Sequence, residues 1–111
     1  MYVSKDHTFA VCAYQESEFL EDCICSLENQ TVKSNIILCT ATPNDHIARI
    51  AEKHHLEVCV NTGAHGIAED WNFGFSQAQT PLVTLAHQDD VYEPEYTEAV
   101  LDAANRSQDT L

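Results

Sequence analysis

TFAVCA, residues 8–13, runs six residues with almost no polar interruption. A strand with one wet face alternates apolar and polar residues, whereas a strand covered on both faces stays apolar. TFAVCA therefore predicts a doubly buried strand, which belongs in a parallel sheet sandwiched by helices. The same unit recurs downstream: IILC (residues 36–39), EVCV (residues 57–60) and PLVTLA (residues 81–86) are short strand-like runs. Helical patterns lie between them. Ser17 is placed to cap a helix carrying Leu20, Ile24 and Leu27 at helical spacing. Pro43 and Asn44 break the chain and open a second helix with Ile47, Ile50, Ala51 and His54 on one face. A third helix, from about residue 68 to residue 79, carries Trp71, Phe75 and Ala78 on one stripe, with Trp71 expected in the core. Asn72 shares a face with Ala68 and Phe75 and is expected to point at the sheet as a hydrogen-bonded buried amide. Pro94 suits the first position of a fourth helix, and Glu95 and Glu98 fall in its opening turn, where the helix dipole favours them.

Strand–helix alternation of this kind predicts an α/β fold, a doubly wound, Rossmann-like parallel sheet with helices on both faces. Right-handed crossovers let the first three strands step one way before the chain returns to place the fourth beside the first. The expected order is 3-2-1-4. Ligands bind at the switch point of such a sheet, outside the carboxyl ends of the strands. The segments leaving those ends are AYQES (residues 13–17) and HQDDVYEP (residues 87–94). Asp89 and Asp90 are thus adjacent carboxylates at a ligand-binding position, and their mutual repulsion calls for a cation, a buried partner or exposure.

At 111 residues the chain fits one domain, and a hydrophobic fraction of 44% with only three Gly and three Pro argues against disorder. Eighteen acidic residues stand against five basic ones, a formal net charge of −13. Such a surface repels phosphate backbones, so nucleic acid is not an expected partner. A ligand carrying a diphosphate would need a divalent metal to neutralise it. No apolar stretch approaches the roughly 20 residues that cross a bilayer, and MYVSKDHTFAV lacks the pattern of a secretory signal. Cys12, Cys39 and Cys59 lie in apolar runs, where a free thiol behaves as a small hydrophobe. Cys23 and Cys25 point in different directions on their helix. Without a C-x-x-C pair a structural zinc site is not expected, and the odd cysteine count favours a reducing, cytoplasmic setting. His54 and His55, adjacent on a helix, point about 100° apart and do not share a metal. His65, between Gly63 and Gly66, lies in a loop near the crevice.

VCAYQESEFLEDCICSLENQT (residues 11–31) and DWNFGFSQAQTPLVTLAHQDDVYEP (residues 70–94) carry a resemblance. The first resembles the strand, Ala-Tyr-Asn-Glu turn and helix that open family 2 glycosyltransferases of the GT-A fold. The second is similar to that family's Arg-Asn-x-Gly helix, fourth strand and Asp-x-Asp-Asp turn. The resemblance spans residues 8–99, with departures. Cys12 stands for the usual Pro, Gln15 for Asn and Trp71 for Arg. TATPND (residues 40–45) replaces an Asp-Asp-Gly-Ser turn, and His87 replaces the first metal-turn Asp.

This resemblance implies that residues 1–111 form a single truncated donor-binding half, inactive alone, with the general base beyond residue 111. The complete enzyme is expected to move a sugar from a nucleotide-diphosphate donor to a hydroxyl of a glycan or lipid acceptor, near a membrane surface. Asp89 is expected to bind Mg²⁺ or Mn²⁺, with Ala13, Tyr14, Glu16, Thr40, His87 and Asp90 around the nucleotide sugar. Asn72 is expected to tie the HQDD turn or a neighbouring loop in place. An open sheet edge would favour a homodimer. Two rivals stand beside this reading. One is a non-catalytic binding domain of the same fold; the other is a receiver-like phosphoryl-transfer domain, which requires a Lys beside the acidic cluster.

Overall fold

The computed structural model describes residues 1–64 and 66–109. After a 3-10 turn at Ser4–Asp6 the chain runs β1 (His7–Ala13), α1 (Leu20–Glu28), β2 (Asn35–Thr40), α2 (Asp45–Lys53), β3 (Glu57–Val60), α3 (Ile67–Gln77), β4 (Leu82–His87) and α4 (Tyr96–Asp109). The strands are all parallel, in the order β3-β2-β1-β4. This is the expected 3-2-1-4 topology. A receiver-like sheet would place the third strand against the first, so that rival is excluded by strand order.

β1 lies inside the sheet, and Phe9, Ala10 and Val11 are fully buried. Pleating sorts its side chains between two cores. Phe9, Val11 and Ala13 pack with Leu20, Ile24 and Leu27 of α1, Ile47 and Ile50 of α2, and Tyr96 of α4. Ala10 joins Cys39, Cys59 and Phe73 of α3 on the other face. Right-handed crossovers explain the division. The steps from β1 to β2 to β3 run one way and put α1 and α2 on one face; the return to β4 reverses direction and puts α3 opposite. Cys12, Cys39 and Cys59 fall in one register row across three strands. Burial pushes the Cys12 thiol up to about 11 and Cys39 to about 12, so the row packs as neutral small hydrophobes.

Several local expectations are corrected. Ser17 does not cap α1, which begins at Leu20 behind Phe19; its hydroxyl accepts from the Phe19 N–H at 3.2 Å instead. Pro94 sits in a turn ahead of α4, where its carbonyl accepts from the Thr31 N–H at 2.8 Å. Asn44 does cap α2, accepting from the Ile47 N–H at 2.9 Å. On α3 the predicted stripe faces outward: Trp71 is 40% exposed and Phe75 50%. The buried residue of that helix is Gly74. A Cβ at Gly74 would stand 3.0 Å from Leu85 and 3.5 Å from Ala10, so α3 approaches the sheet through the residue with no side chain. The aromatic stripe is rotated out as a result.

Candidate functional site

The carboxyl ends of β1 and β4 lie side by side, with Cys12 opposite His87 in the ladder. One residue further on, a side chain takes over from the backbone. Gln88 accepts from the Tyr14 N–H at 3.0 Å and donates to the Tyr14 carbonyl at 3.1 Å. The turns leaving the two strands are thereby clasped together. Gln15 adopts φ of +54°, uncommon for a residue with a Cβ, and is held there from outside. Its N–H donates to Thr42 Oγ1 at 2.7 Å, and its carbonyl accepts from Asn44 Nδ2 at 2.9 Å. Thr42 in turn donates its N–H to Thr40 Oγ1 at 2.9 Å. The loop after β2 therefore buttresses the turn after β1.

Asp89 and Asp90 are both exposed. The Asp90 N–H donates to the His87 carbonyl at 3.0 Å and closes the turn. Asp89 Oδ1 accepts from the Ser17 hydroxyl at 3.1 Å. Among the described residues neither carboxylate is in an ion pair. Beneath the turn, Cys23 donates to the His87 carbonyl at 3.4 Å. Burial first, and then the charges of Asp90 and Asp89, push that thiol up to about 12. The Trp71 ring lies 5.5 Å from the His87 ring and joins the acidic turn to a neighbouring cleft. Tyr14, Ala41, Thr42, Ile67, Asp70 and Trp71 line it. Asn61 donates to Asp70 at 3.4 Å and steadies that carboxylate at the cleft's inner end. Gly66, with φ of +146°, turns the chain into α3 in a conformation other residues resist.

The fold thus brings together Tyr14, His87, Asp89 and Asp90, four of the residues singled out in the sequence. Ala13 is buried and lines a small cavity with Tyr14, Thr40 and Asp70. Thr40 is 3% exposed, lines that cavity and accepts from the Thr42 N–H, so it also props the loop. Glu16 is exposed but lines a different groove with Glu18, Asp45, His46 and Arg49. Asn72 is exposed, which corrects the expectation of a buried amide: Phe73 and Gly74 occupy the side of α3 that meets the sheet. His65 lies outside the described residues. Gln88 and Thr42 hold these turns through contacts that no local pattern announces, and Asp70 lines the cleft beside them. Two exposed carboxylates in one turn, with a hydroxyl on one of them, form a hard, all-oxygen donor set. That set fits an Mg²⁺ or Mn²⁺ ion that keeps water and ligand oxygens in the rest of its shell.

The family described as Glycosyl transferase family 2 matches residues 8–111. The chain belongs to this family. Among solved structures, S. aureus TarS 1-349 superimposes with a TM-score of 0.71 at 22% identity, over 90% of this chain and 31% of its own. The mannosyltransferase PcManGT from Pyrobaculum calidifontis, solved in complex with GDP-Man and Mn²⁺, gives 0.73 at 21% identity, over 89% of this chain and 32% of its own. At such identities the likeness establishes a shared fold. The chain spans about a third of the length of either structure. No curated protein matches it.

Proposed function

We propose that this family 2 chain is the donor-binding part of a glycosyltransferase that moves a sugar from a nucleotide-diphosphate donor to an acceptor hydroxyl. The observation that carries the reading is the Gln88 clasp, which holds the Tyr14 turn against the acidic turn at the switch point of the sheet. Tyr14 is 56% exposed and Trp71 40%, and they present aromatic faces on which a base or sugar ring stacks. Asp70 accepts a hydrogen bond from a base or ribose, and Ser17 orients Asp89. Asp89 and Asp90 would hold the divalent ion, which when bound neutralises a diphosphate. With a net charge of −13 the chain itself opposes any polyphosphate, so donor binding is expected to require that ion.

The second reading is a non-catalytic binding module. Thr40 favours it, being buried and hydrogen-bonded at the start of the TATPND stretch that stands in place of the Asp-Asp-Gly-Ser turn the family resemblance calls for. Calorimetry of the chain with UDP-, GDP- and CDP-sugars, with and without Mn²⁺, separates the two. The transferase reading expects binding of one donor class that needs Mn²⁺ and is lost in Asp89→Asn. Absence of metal-dependent binding to all of them supports the binding module.

A further inference from the structure

We propose that Cys25, Glu28 and His54 form a binding site for a thiophilic divalent transition metal, such as Zn²⁺, that bridges α1 and α2. One ligand atom from each lies within 4.8 Å of the others. Tetrahedral zinc with bonds of about 2.0–2.3 Å separates its ligands by about 3.3–3.8 Å, so small side-chain adjustments close the site. Cys25 and Glu28 sit three apart on α1 and share a face. His54 follows the last turn of α2, where its Nδ1 is 2.8 Å from Glu28 Oε1.

A second observation points the same way. The other ring nitrogen, Nε2, lies 2.8 Å from Glu21 Oε2, and Glu21 is anchored in turn by Lys53 Nζ at 2.8 Å. Metal-bound histidines almost always give their remote N–H to a carboxylate, which fixes the tautomer and strengthens the ligand. Glu21, one turn before Cys25 on the same face of α1, supplies that carboxylate. The His54 side chain is only 11% exposed, so its ring is already held in place. Without a metal, the Glu21 hydrogen bond first and that of Glu28 after it raise the His54 pKa, and the ring bridges both carboxylates. Burial and then the neighbouring carboxylates raise the Cys25 pKa. Metal binding replaces the Cys25 thiol proton and the proton between Nδ1 and Glu28, both released to solvent. Glu28 is 36% exposed, which leaves the site open to water as a further ligand. No residue of the site lines the Tyr14–Trp71 cleft.

The test is Co²⁺ titration of the full chain after chelation and dialysis, followed by competition with Zn²⁺. The expected result is a thiolate-to-cobalt charge-transfer band that saturates at one equivalent of thiolate-bound Co²⁺, is displaced by Zn²⁺ and is unaffected by Asp89→Asn or excess Mg²⁺. Cys25→Ser removes the band, and His54→Gln weakens binding at least 10-fold. Glu21→Gln keeps the band but weakens binding about 10–100-fold. Circular dichroism establishes that each variant is folded, and Cys25→Ala replaces Cys25→Ser if the latter is not. A wild-type titration with no thiolate band overturns the proposal, as does a band that survives loss of Cys25 or is indifferent to His54.

Discussion

Gln88 continues the β1–β4 ladder by one rung, using an amide side chain that presents the same donor and acceptor as a peptide group. Gln88→Ala removes both bonds to Tyr14 and is expected to cost about 1–2 kcal/mol in urea unfolding. Gln88→Glu is expected to cost more, because an oxygen then faces the Tyr14 carbonyl. Equal stability of the wild type and Gln88→Ala would show the clasp to be incidental. His7 is fully buried between Ser34 at 2.7 Å and Thr84 at 2.8 Å, and burial lowers its pKa. Its unfolded-state pKa is about 6.5. The neutral ring therefore contributes stability that is fully present above that pH and is lost as pH falls toward the folded value. The stability advantage of wild type over His7→Gln should shrink between pH 7 and pH 5, and an NMR titration midpoint for His7 above its ordinary value would contradict this. Neither residue was legible in the sequence as a determinant. The Gln88 and His7 partners lie up to 77 positions away, and contacts at that range leave no local period.

Helix α3 shows where pattern reading succeeds and where it misleads. Its extent was legible to within two residues, since a loop with Gly63 and Gly66 precedes it and the strand-like PLVTLA run follows it. Its facing was not. Trp71 and Phe75 form a helical stripe with Ile67, but hydrophobic stripes signal packing only if the helix rests on them. Here the contact passes through Gly74, which carries no hydrophobic signal. Asn72, assigned to the sheet along with the stripe, is rotated out for the same reason. Two substitutions separate packing from ligand contact. Gly74→Val drives a branched side chain into Leu85 and Ala10 and is expected to cost about 1–3 kcal/mol, measured by chemical denaturation. Trp71→Ala should cost less, because the ring is 40% exposed, yet it should weaken donor affinity in the calorimetry that tests the cleft. A larger stability loss in Trp71→Ala than in Gly74→Val would return the indole to the core.

Strand order was legible only in part: right-handed crossovers and the apolar run at residues 8–13 placed β1 inside a parallel sheet, and the common doubly wound arrangement, not a residue pattern, favoured 3-2-1-4 over 2-1-3-4. The net charge of −13 acts over the whole of that fold. Four ion pairs are formed among the described residues, and three of them converge on Glu21, Glu28, Lys53 and His54. The remaining carboxylates, those of the exposed Asp89–Asp90 turn included, face one another mainly through solvent. Repulsion between exposed charges reaches about 30 Å at 10 mM salt and about 10 Å at 0.1 M, so salt relieves it before it weakens the partly buried pairs. Unfolding spreads the charges apart and lowers the repulsion, which makes the folded state the one that gains from screening. The melting temperature is therefore expected to rise by several degrees between about 10 mM and 0.5 M NaCl, with most of the gain complete by 0.2 M. KCl should act equally, since the effect depends on ionic strength and not on a bound ion. A melting temperature that falls over this range would mean that attraction within the Glu21–His54–Glu28 group outweighs the repulsion of all the other carboxylates.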